Sequence, residues 1–221
     1  MYKNFLALLL LVLAGCNGNS PATNHIEEKE EENAQMAEIK TILFFGNSLT
    51  AGYGLDDPSE SFPARIQEKI DSLKLPYKIV NAGLSGETTA GGKSRIDWSL
   101  KQKVDIFVLE LGANDGLRGI PPTETRANLQ AILQKVKAKY PEAKQILLGM
   151  EVPPNMGDAY VTQFRAIFRQ VAEKNDVAFV PFLLDGVAGV PSLNQKDGIH
   201  PTGKGYKIVA ENVWEVLKEE L

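Results

Sequence analysis

The sequence predicts an α/β domain, built as a three-layer αβα sandwich around a mainly parallel, five-stranded sheet. Short apolar runs alternate with segments whose apolar residues recur at helical spacing, and this alternation indicates βαβ units. The strand candidates are apolar throughout, as expected for strands covered on both faces. Right-handed crossovers then place helices on both sides of the sheet.

The first half of the domain supplies three strands. Residues 41–45 are nearly all apolar and predict the first of them. Apolar residues then recur at helical spacing, which predicts a helix over 62–73. Shorter apolar runs at 77–80 and 104–111 predict the second and third strands.

The second half repeats this alternation. Residues 122–140 predict a long helix, and the apolar run at 146–150 predicts the fourth strand. A single apolar face at helical spacing predicts a helix over 158–175, followed by a fifth strand at 177–181. The chain closes with a helix predicted over 202–221. Residues 39–221 are therefore expected to form one domain.

The N-terminal segment is different in kind. Lys3 precedes an apolar run over 5–12, which is too short to span a bilayer but fits the core of an export signal. Leu13-Ala14-Gly15-Cys16 follows and resembles the bacterial lipobox, in which the cysteine is lipidated. We expect a signal peptide over 1–15, a lipid anchor on Cys16, and a membrane-anchored protein exported to the periplasmic or cell-surface side. The alternative is an ordinary signal peptide with an incidental cysteine.

Residues 16–38 predict an acidic, flexible tether, because they contain several glutamates and little apolar material to bury. His25 lies in this segment, so His200 is the only histidine within 39–221. The formal net charge is -4, and no basic run is interleaved with aromatic residues. Nucleic acid is therefore not expected as a partner.

Ser48 directly follows the first predicted strand. In sheets of this type the active site lies beyond the carboxyl ends of the strands, which is where this serine is expected. The strand-to-helix turn is similar in logic to a nucleophile elbow, although Thr50 occupies the position of the second glycine in that motif. The alternative is that Asn47 or Ser48 only caps the following helix.

Asp197 and His200 precede the last predicted helix. A serine nucleophile needs a base to take its proton, and an imidazole suits this role. Asp197 stands three residues before His200, so one short loop can present both, with the carboxylate orienting the imidazole. The alternative is a simple helix-entry turn with Pro201 at the first helical position.

Two further segments end strands of the same sheet. Asn114 follows the third strand and can direct a side-chain amide at a developing oxyanion. Gly86 follows the second strand and offers an unobstructed backbone N–H. Taken alone, each is an ordinary turn. Together with a nucleophile and a base, they match the requirements of acyl transfer.

These segments resemble the signature blocks of the SGNH hydrolase superfamily, also called the GDSL family. Its four signature letters match Ser48, Gly86, Asn114 and His200 in order, and the resemblance covers nearly all of 39–221. The bacterial arylesterase, acyl-CoA thioesterase and lysophospholipase group is the most similar. The resemblance implies the flavodoxin-like fold of that superfamily and a serine esterase that forms an acyl-enzyme.

The resemblance also implies a role for each residue. Ser48 attacks the ester carbonyl, His200 is the base and then the acid, and Asp197 orients the imidazole. The backbone N–H groups of Ser48 and Gly86, with the Asn114 amide, form the oxyanion hole. No metal or other cofactor is implied. The expected partner is a small-molecule ester or lipid-like substrate, and the expected state is a monomer.

One departure from the family motif matters for the site. Asn47 stands where the family motif has an aspartate. We expect an active enzyme with altered local electrostatics, because the carboxylate of the triad is assigned to Asp197. Two alternatives stay open: a carbohydrate O-deacetylase of the same superfamily, and a non-catalytic surface lipoprotein that binds a ligand.

Overall fold

The computed structural model describes residues 38–221. The predicted signal peptide over 1–15, the predicted lipidation of Cys16 and the predicted tether up to residue 37 lie outside them, as does His25. Five strands form the sheet: β1 (Lys40–Gly46), β2 (Tyr77–Gly83), β3 (Ile106–Glu110), β4 (Lys144–Leu148) and β5 (Ala178–Val180). The helices are α1 (Ser48–Ala51), α2 (Phe62–Ser72), α3 (Thr89–Ser99), α4 (Ala113–Leu117), α5 (Pro122–Lys139), α6 (Asp158–Asn175) and α7 (Gly203–Leu217). Short 3-10 turns cover Pro58–Glu60, Pro154–Met156, Pro191–Leu193 and Lys218–Glu220.

The strands lie in the order β2-β1-β3-β4-β5, and every pairing between them is parallel. This confirms the predicted α/β fold, with a sheet that is wholly rather than mainly parallel. The register aligns the ends of three strands, because Gly46 is paired with Gly83 on one side and with Glu110 on the other. The residues that follow β1, β2 and β3 therefore start from one edge of the sheet.

Two neighbouring phenylalanines of β1 show how helices cover both faces. Phe44 packs edge-on against Phe62 of α2, with ring centroids 5.6 Å apart. Phe45 points the opposite way, against Gly92 of α3, because successive side chains of a strand face opposite sides of the sheet. Helices α3, α5 and α6 pack against one another in sequence, and α2 packs against α7. Residues 42–46 of β1 are consequently buried.

The expectation that every strand is apolar on both faces is wrong for β2. This strand lies at the edge of the sheet, and residues such as Lys78 and Asn81 are exposed. It extends to Gly83, beyond the predicted range, since pairing with β1 rather than hydrophobicity sets its length. Strand β3 is shorter than predicted, because the chain turns away from the sheet after Glu110.

Helix α3 was not predicted from the sequence. Its residues include Gly91 and Gly92 and have no apolar periodicity that indicates a helix. Thr88 caps its first turn by accepting a hydrogen bond from the Gly91 N–H. At Gly92, a Cβ atom would come within 2.3 Å of Leu111, so the glycine permits close packing. Within 38–221, no helix combines the length and apolar character that a membrane span requires.

Candidate active site

The turn between β1 and α1 presents Ser48. Asn47 is the N-cap of α1, and its side-chain oxygen accepts a hydrogen bond from the Leu49 N–H at 2.9 Å. Capping by Asn47 thus leaves the Ser48 hydroxyl available, as the first side chain of the helix. Gly52 ends α1 in the left-handed region, with φ of 74°, and its N–H donates to the Ser48 carbonyl. Ser48 is largely buried, with 8% of its surface exposed.

The loop before α7 brings an imidazole and a carboxylate to this serine. The Nε2 atom of His200 lies 2.9 Å from the Ser48 Oγ, and its Nδ1 atom lies 2.7 Å from the Asp197 Oδ2. The loop is closed at its base, where the Gln195 N–H donates to the His200 carbonyl at 2.7 Å. An isolated bridge between Asn194 and Pro201 lies beside this bond. The three predicted triad residues are therefore in one hydrogen-bonded chain.

Asp197 has hydrogen bonds on both of its carboxylate oxygens. Its Oδ1 atom accepts from the backbone N–H groups of Ile199 and His200, at 2.9 and 3.0 Å. Desolvation raises the pKa of Asp197, but hydrogen bonds from the His200 side chain and the two backbone groups outweigh it. The net result is a pKa of about 2. The carboxylate is thus ionised at neutral pH and accepts a hydrogen bond from His200 Nδ1, which directs the opposite nitrogen to Ser48.

The predicted oxyanion residues line the same cavity as the triad. Within residues 38–221, the backbone N–H groups of Ser48 and Gly86 donate to no protein acceptor. The Asn114 side-chain amide donates one hydrogen bond to the Glu87 carbonyl at 3.0 Å. An amide nitrogen carries two hydrogens, so this bond fixes the orientation of the group and leaves a second donor. At Gly86, φ is 80°, a backbone conformation that favours glycine, although a Cβ would have space.

An ion pair holds the loop that carries Gly86. Glu87 is buried and accepts two hydrogen bonds from Arg95 of α3, at 2.5 and 2.8 Å. Arg95 also donates to the Ala82 carbonyl at the end of β2. Arg118, the residue after α4, donates to the Gly86 carbonyl at 3.0 Å. Three elements thus constrain the backbone on either side of Gly86.

Asp115, the neighbour of Asn114, is buried and has a structural role. Its carboxylate accepts hydrogen bonds from the backbone and the hydroxyl of Thr89, and from the Thr125 hydroxyl at 3.4 Å. These contacts join α4 to the first turns of α3 and α5. They fix the short helix on which Asn114 stands.

A cavity of about 830 Å³ opens above the triad. Leu117 and residues 151–154 line part of it. Several further lining residues lie between Phe182 and Gly189, a stretch that the sequence did not mark as part of a site. Within the described part of the chain, no three potential metal ligands cluster together.

Sequence reasoning missed two residues beside the triad. Tyr53 lines the cavity, and its ring centroid lies 4.8 Å from that of His200. Its signal was its place five residues after Ser48, between Gly52 and Gly54. Glu110 is fully buried behind the Ser48 turn. Its signal was a charged residue at the end of an otherwise apolar strand.

Comparison with known proteins identifies relatives of this chain by sequence. The sequence model of the GDSL-like Lipase/Acylhydrolase family matches residues 44–208. Esterase TesA of Pseudomonas aeruginosa is 41% identical over 185 residues, which cover 83% of this chain and 90% of that protein. Thioesterase 1/protease 1/lysophospholipase L1 of Escherichia coli K12 is 39% identical, over 80% of this chain and 83% of that one.

A solved structure also superimposes on the domain. The psychrotrophic esterase EstA from Pseudoalteromonas sp., inhibited by monoethylphosphonate, has a TM-score of 0.76 and 34% sequence identity. The match covers 81% of this chain and 97% of that chain.

Proposed function

Because this chain belongs to the GDSL-like Lipase/Acylhydrolase family and is a carboxylic ester hydrolase, we propose that it cleaves esters and thioesters through an acyl-enzyme on Ser48. The observation that carries this proposal is the chain of hydrogen bonds from Ser48 Oγ through His200 to Asp197. It joins a nucleophile, a base and an orienting acid, which is the arrangement needed to activate a serine.

Acylation follows from this geometry. The Ser48 Oγ attacks the carbonyl carbon of the substrate while its proton passes to His200 Nε2, and the carbonyl electron pair moves onto the oxygen. When the tetrahedral intermediate collapses, the bond to the leaving group breaks and His200 Nε2 returns the proton to that group. Asp197 stays ionised and stabilises the imidazolium. Water then attacks the acyl-enzyme by the same steps, which releases the acid and restores Ser48.

The negative charge on the intermediate needs donors that are already in place. We propose the backbone N–H groups of Ser48 and Gly86 and the free hydrogen of the Asn114 amide. Each donor of this kind is typically worth about 3 kcal/mol of transition-state stabilisation. The Glu87 carbonyl holds the Asn114 amide before substrate arrives, so little reorganisation accompanies the reaction.

The walls of the cavity favour an acyl or aryl group over a sugar. Apolar side chains from several separate segments line the cavity, including Leu117, Val152, Phe182 and Leu184. Apolar surface is what an acyl chain loses from water on binding, whereas a saccharide needs convergent hydrogen-bonding groups. The relatives named as an esterase and as a thioesterase and lysophospholipase agree with this choice. We therefore favour lipid-like or aryl esters and thioesters over acetylated carbohydrate.

The proposed nucleophile is tested by a fluorophosphonate probe. Folded protein is expected to gain one phosphonyl group from the probe, with fluoride as the leaving group, and peptide mapping is expected to place that group on the peptide that contains Ser48. Heat-denatured protein is the matched control, because an isolated serine hydroxyl is unreactive without its base. Label on another serine, or equal labelling of folded and denatured protein, would contradict the proposal.

We also propose that Cys16 carries a lipid anchor and that the hydrolase domain acts outside the cytoplasm. The support is the apolar run over 5–12 followed by Leu13-Ala14-Gly15-Cys16. Full-length protein expressed in a bacterium is expected to partition into the membrane fraction and the detergent phase, and Cys16→Ala is expected to lose both. Equal partitioning of the two proteins would contradict the anchor.

A further inference from the structure

Glu110 is a carboxylate enclosed behind the proposed nucleophile. It ends β3 opposite Gly46 of β1, and only 1% of its surface is exposed. A Cβ atom at position 46 would lie 2.6 Å from the Glu110 Oε2 and 2.1 Å from the Thr50 Oγ1. Gly46 is therefore required by this close approach, and its φ is not in the positive range. The absent side chain leaves room for Glu110 to reach beneath α1.

Four hydrogen bonds join Glu110 to the turn that carries Ser48. The Oε2 atom accepts from the Asn47 N–H at 3.0 Å, the Thr50 N–H at 3.3 Å and the Thr50 hydroxyl at 2.8 Å. The Oε1 atom accepts from the Asn47 side-chain amide at 2.8 Å. The bonded residues flank Ser48 in sequence. The carboxylate thus holds the backbone on both sides of the nucleophile.

Asn47 transmits this contact to the first turn of α1. Its amide nitrogen donates to Glu110, while its oxygen accepts from the Leu49 N–H and lies 3.4 Å from the Ser48 Oγ. An aspartate at this position has no hydrogen to donate when it is ionised, and it would face the Glu110 carboxylate. Asparagine thus complements Glu110 in both hydrogen bonding and charge.

Glu110 has no ion-pair partner among residues 38–221. Within residues 38–221, no lysine, arginine or histidine side chain donates to it. The titratable group that faces it from α7 is Tyr206, whose pKa is raised by burial and by the charge of Glu110. Burial raises the pKa of Glu110 to about 7, although the bonds from Asn47 and Thr50 lower it in part. The hydrogen bonds, rather than an ion pair, keep the group in place.

We propose that Glu110 is a positioning residue for the hydrolytic reaction, matched to Asn47, and that together they fix the Ser48 hydroxyl in line with His200. This inference rests on the proposed function, since it assigns what orients the nucleophile of that reaction. The alternative is a purely structural contact, which stabilises the domain without changing the turnover of folded enzyme.

The test is a reciprocal exchange of amide and carboxylate. Glu110→Gln places a second amide nitrogen opposite the Asn47 amide, so two donors meet. Asn47→Asp alone places two carboxyl groups together. In the double variant the aspartate accepts both from the new glutamine and from the Leu49 N–H, which restores complementarity with the polarity reversed.

Turnover of p-nitrophenyl butyrate is measured for folded protein, with active sites counted by fluorophosphonate. Each single variant is expected to lose kcat by about tenfold, with KM changed by less than about twofold. The double variant is expected to recover to within about threefold of wild type, which is a non-additive result. Glu215→Gln on the exposed side of α7 is the matched control and is expected to leave kcat unchanged.

A double variant no more active than the product of the two single losses would overturn the positioning role, as would wild-type kcat in Glu110→Gln. If the glutamine variants do not fold, Asn47→Asp alone decides: its deficit at pH 8 is expected to shrink at pH 6, where one of the paired carboxyl groups holds a proton. A deficit independent of pH would overturn the inference. Wild-type protein that hydrolyses no ester would instead overturn the proposed function, and this inference with it.

Discussion

Ser48→Ala and His200→Ala are each expected to lower kcat for an activated ester by about 10⁶-fold, and the double variant is expected to be no slower than either. The reason is the 2.9 Å bond between Ser48 Oγ and His200 Nε2. The hydroxyl is a poor nucleophile without the imidazole, and the imidazole has no proton to accept without the hydroxyl. The two groups therefore act as one unit, and removing the second costs nothing further.

Initial rates with p-nitrophenyl butyrate check this expectation, alongside circular dichroism to show that the variants fold. Ser72→Ala serves as the control, because that exposed hydroxyl bonds only to the Lys69 carbonyl within its own helix. Losses that multiply in the double variant would show that the two side chains contribute independently. That result would be incompatible with the proposed mechanism.

Asp197→Asn is expected to lower kcat by about 10⁴-fold while leaving KM nearly unchanged. The carboxylate accepts from His200 Nδ1 and from two backbone N–H groups of its own loop. Asparagine can satisfy the backbone groups with its oxygen, but its amide then donates toward Nδ1. The imidazole must present a lone pair there, which moves its proton to Nε2, where Ser48 needs an acceptor.

The contribution of the Asp197 carboxylate to folding stability depends on pH in a definite direction. The pKa of Asp197 is lowered to about 2 in the folded protein, from an ordinary value of 3.8. Its contribution to stability is therefore present above pH 3.8 and is lost as the pH falls through 2.

The kinetic loss in Asp197→Asn is expected across the neutral range, compared with Asp56→Asn as the control at an exposed position. If Asp197→Asn kept wild-type kinetics, the proposed role of Asp197 in the mechanism would be wrong.

Much of the candidate site was predictable because its residues immediately follow strands. Ser48, Gly86 and Asn114 each stand a few residues beyond an apolar run, and parallel strands bring such positions to a common edge. Asp197 and His200 are three residues apart, so their pairing needs only a local turn. Each of these signals is local in sequence, and the parallel sheet brings the residues together in space.

The parts that escaped prediction depend on distant contacts. Helix α3 lacks an apolar period and owes its formation to a cap and to close packing at Gly92. The wall between Phe182 and Gly189 depends on where a loop returns over the sheet, which no local pattern records. Glu110 bonds to Asn47 across 63 positions of sequence. A charged residue at the end of an apolar strand indicates that the position matters, but the sequence does not show which residue that side chain contacts.

The structure also sharpens the expectation about Asn47. The sequence suggested that replacing the family aspartate removes a charge beside the nucleophile. The removed charge would have stood against the buried carboxylate of Glu110, 2.8 Å from the asparagine amide. The substitution is therefore consistent with an active site, since it converts a repulsive neighbour into a hydrogen-bond donor.

The closed loop that carries Asp197 and His200 has a consequence for acyl preference. The proposed acid and base lie on one short segment, and the proposed nucleophile and oxyanion donors follow β1, β2 and β3. The cavity walls near Met150 and Phe182 follow β4 and β5 instead. Part of the cavity wall is thus encoded in stretches of sequence that hold none of the proposed catalytic residues. Substitutions near Met150 or Phe182 can therefore change acyl preference while leaving the proposed catalytic residues in place.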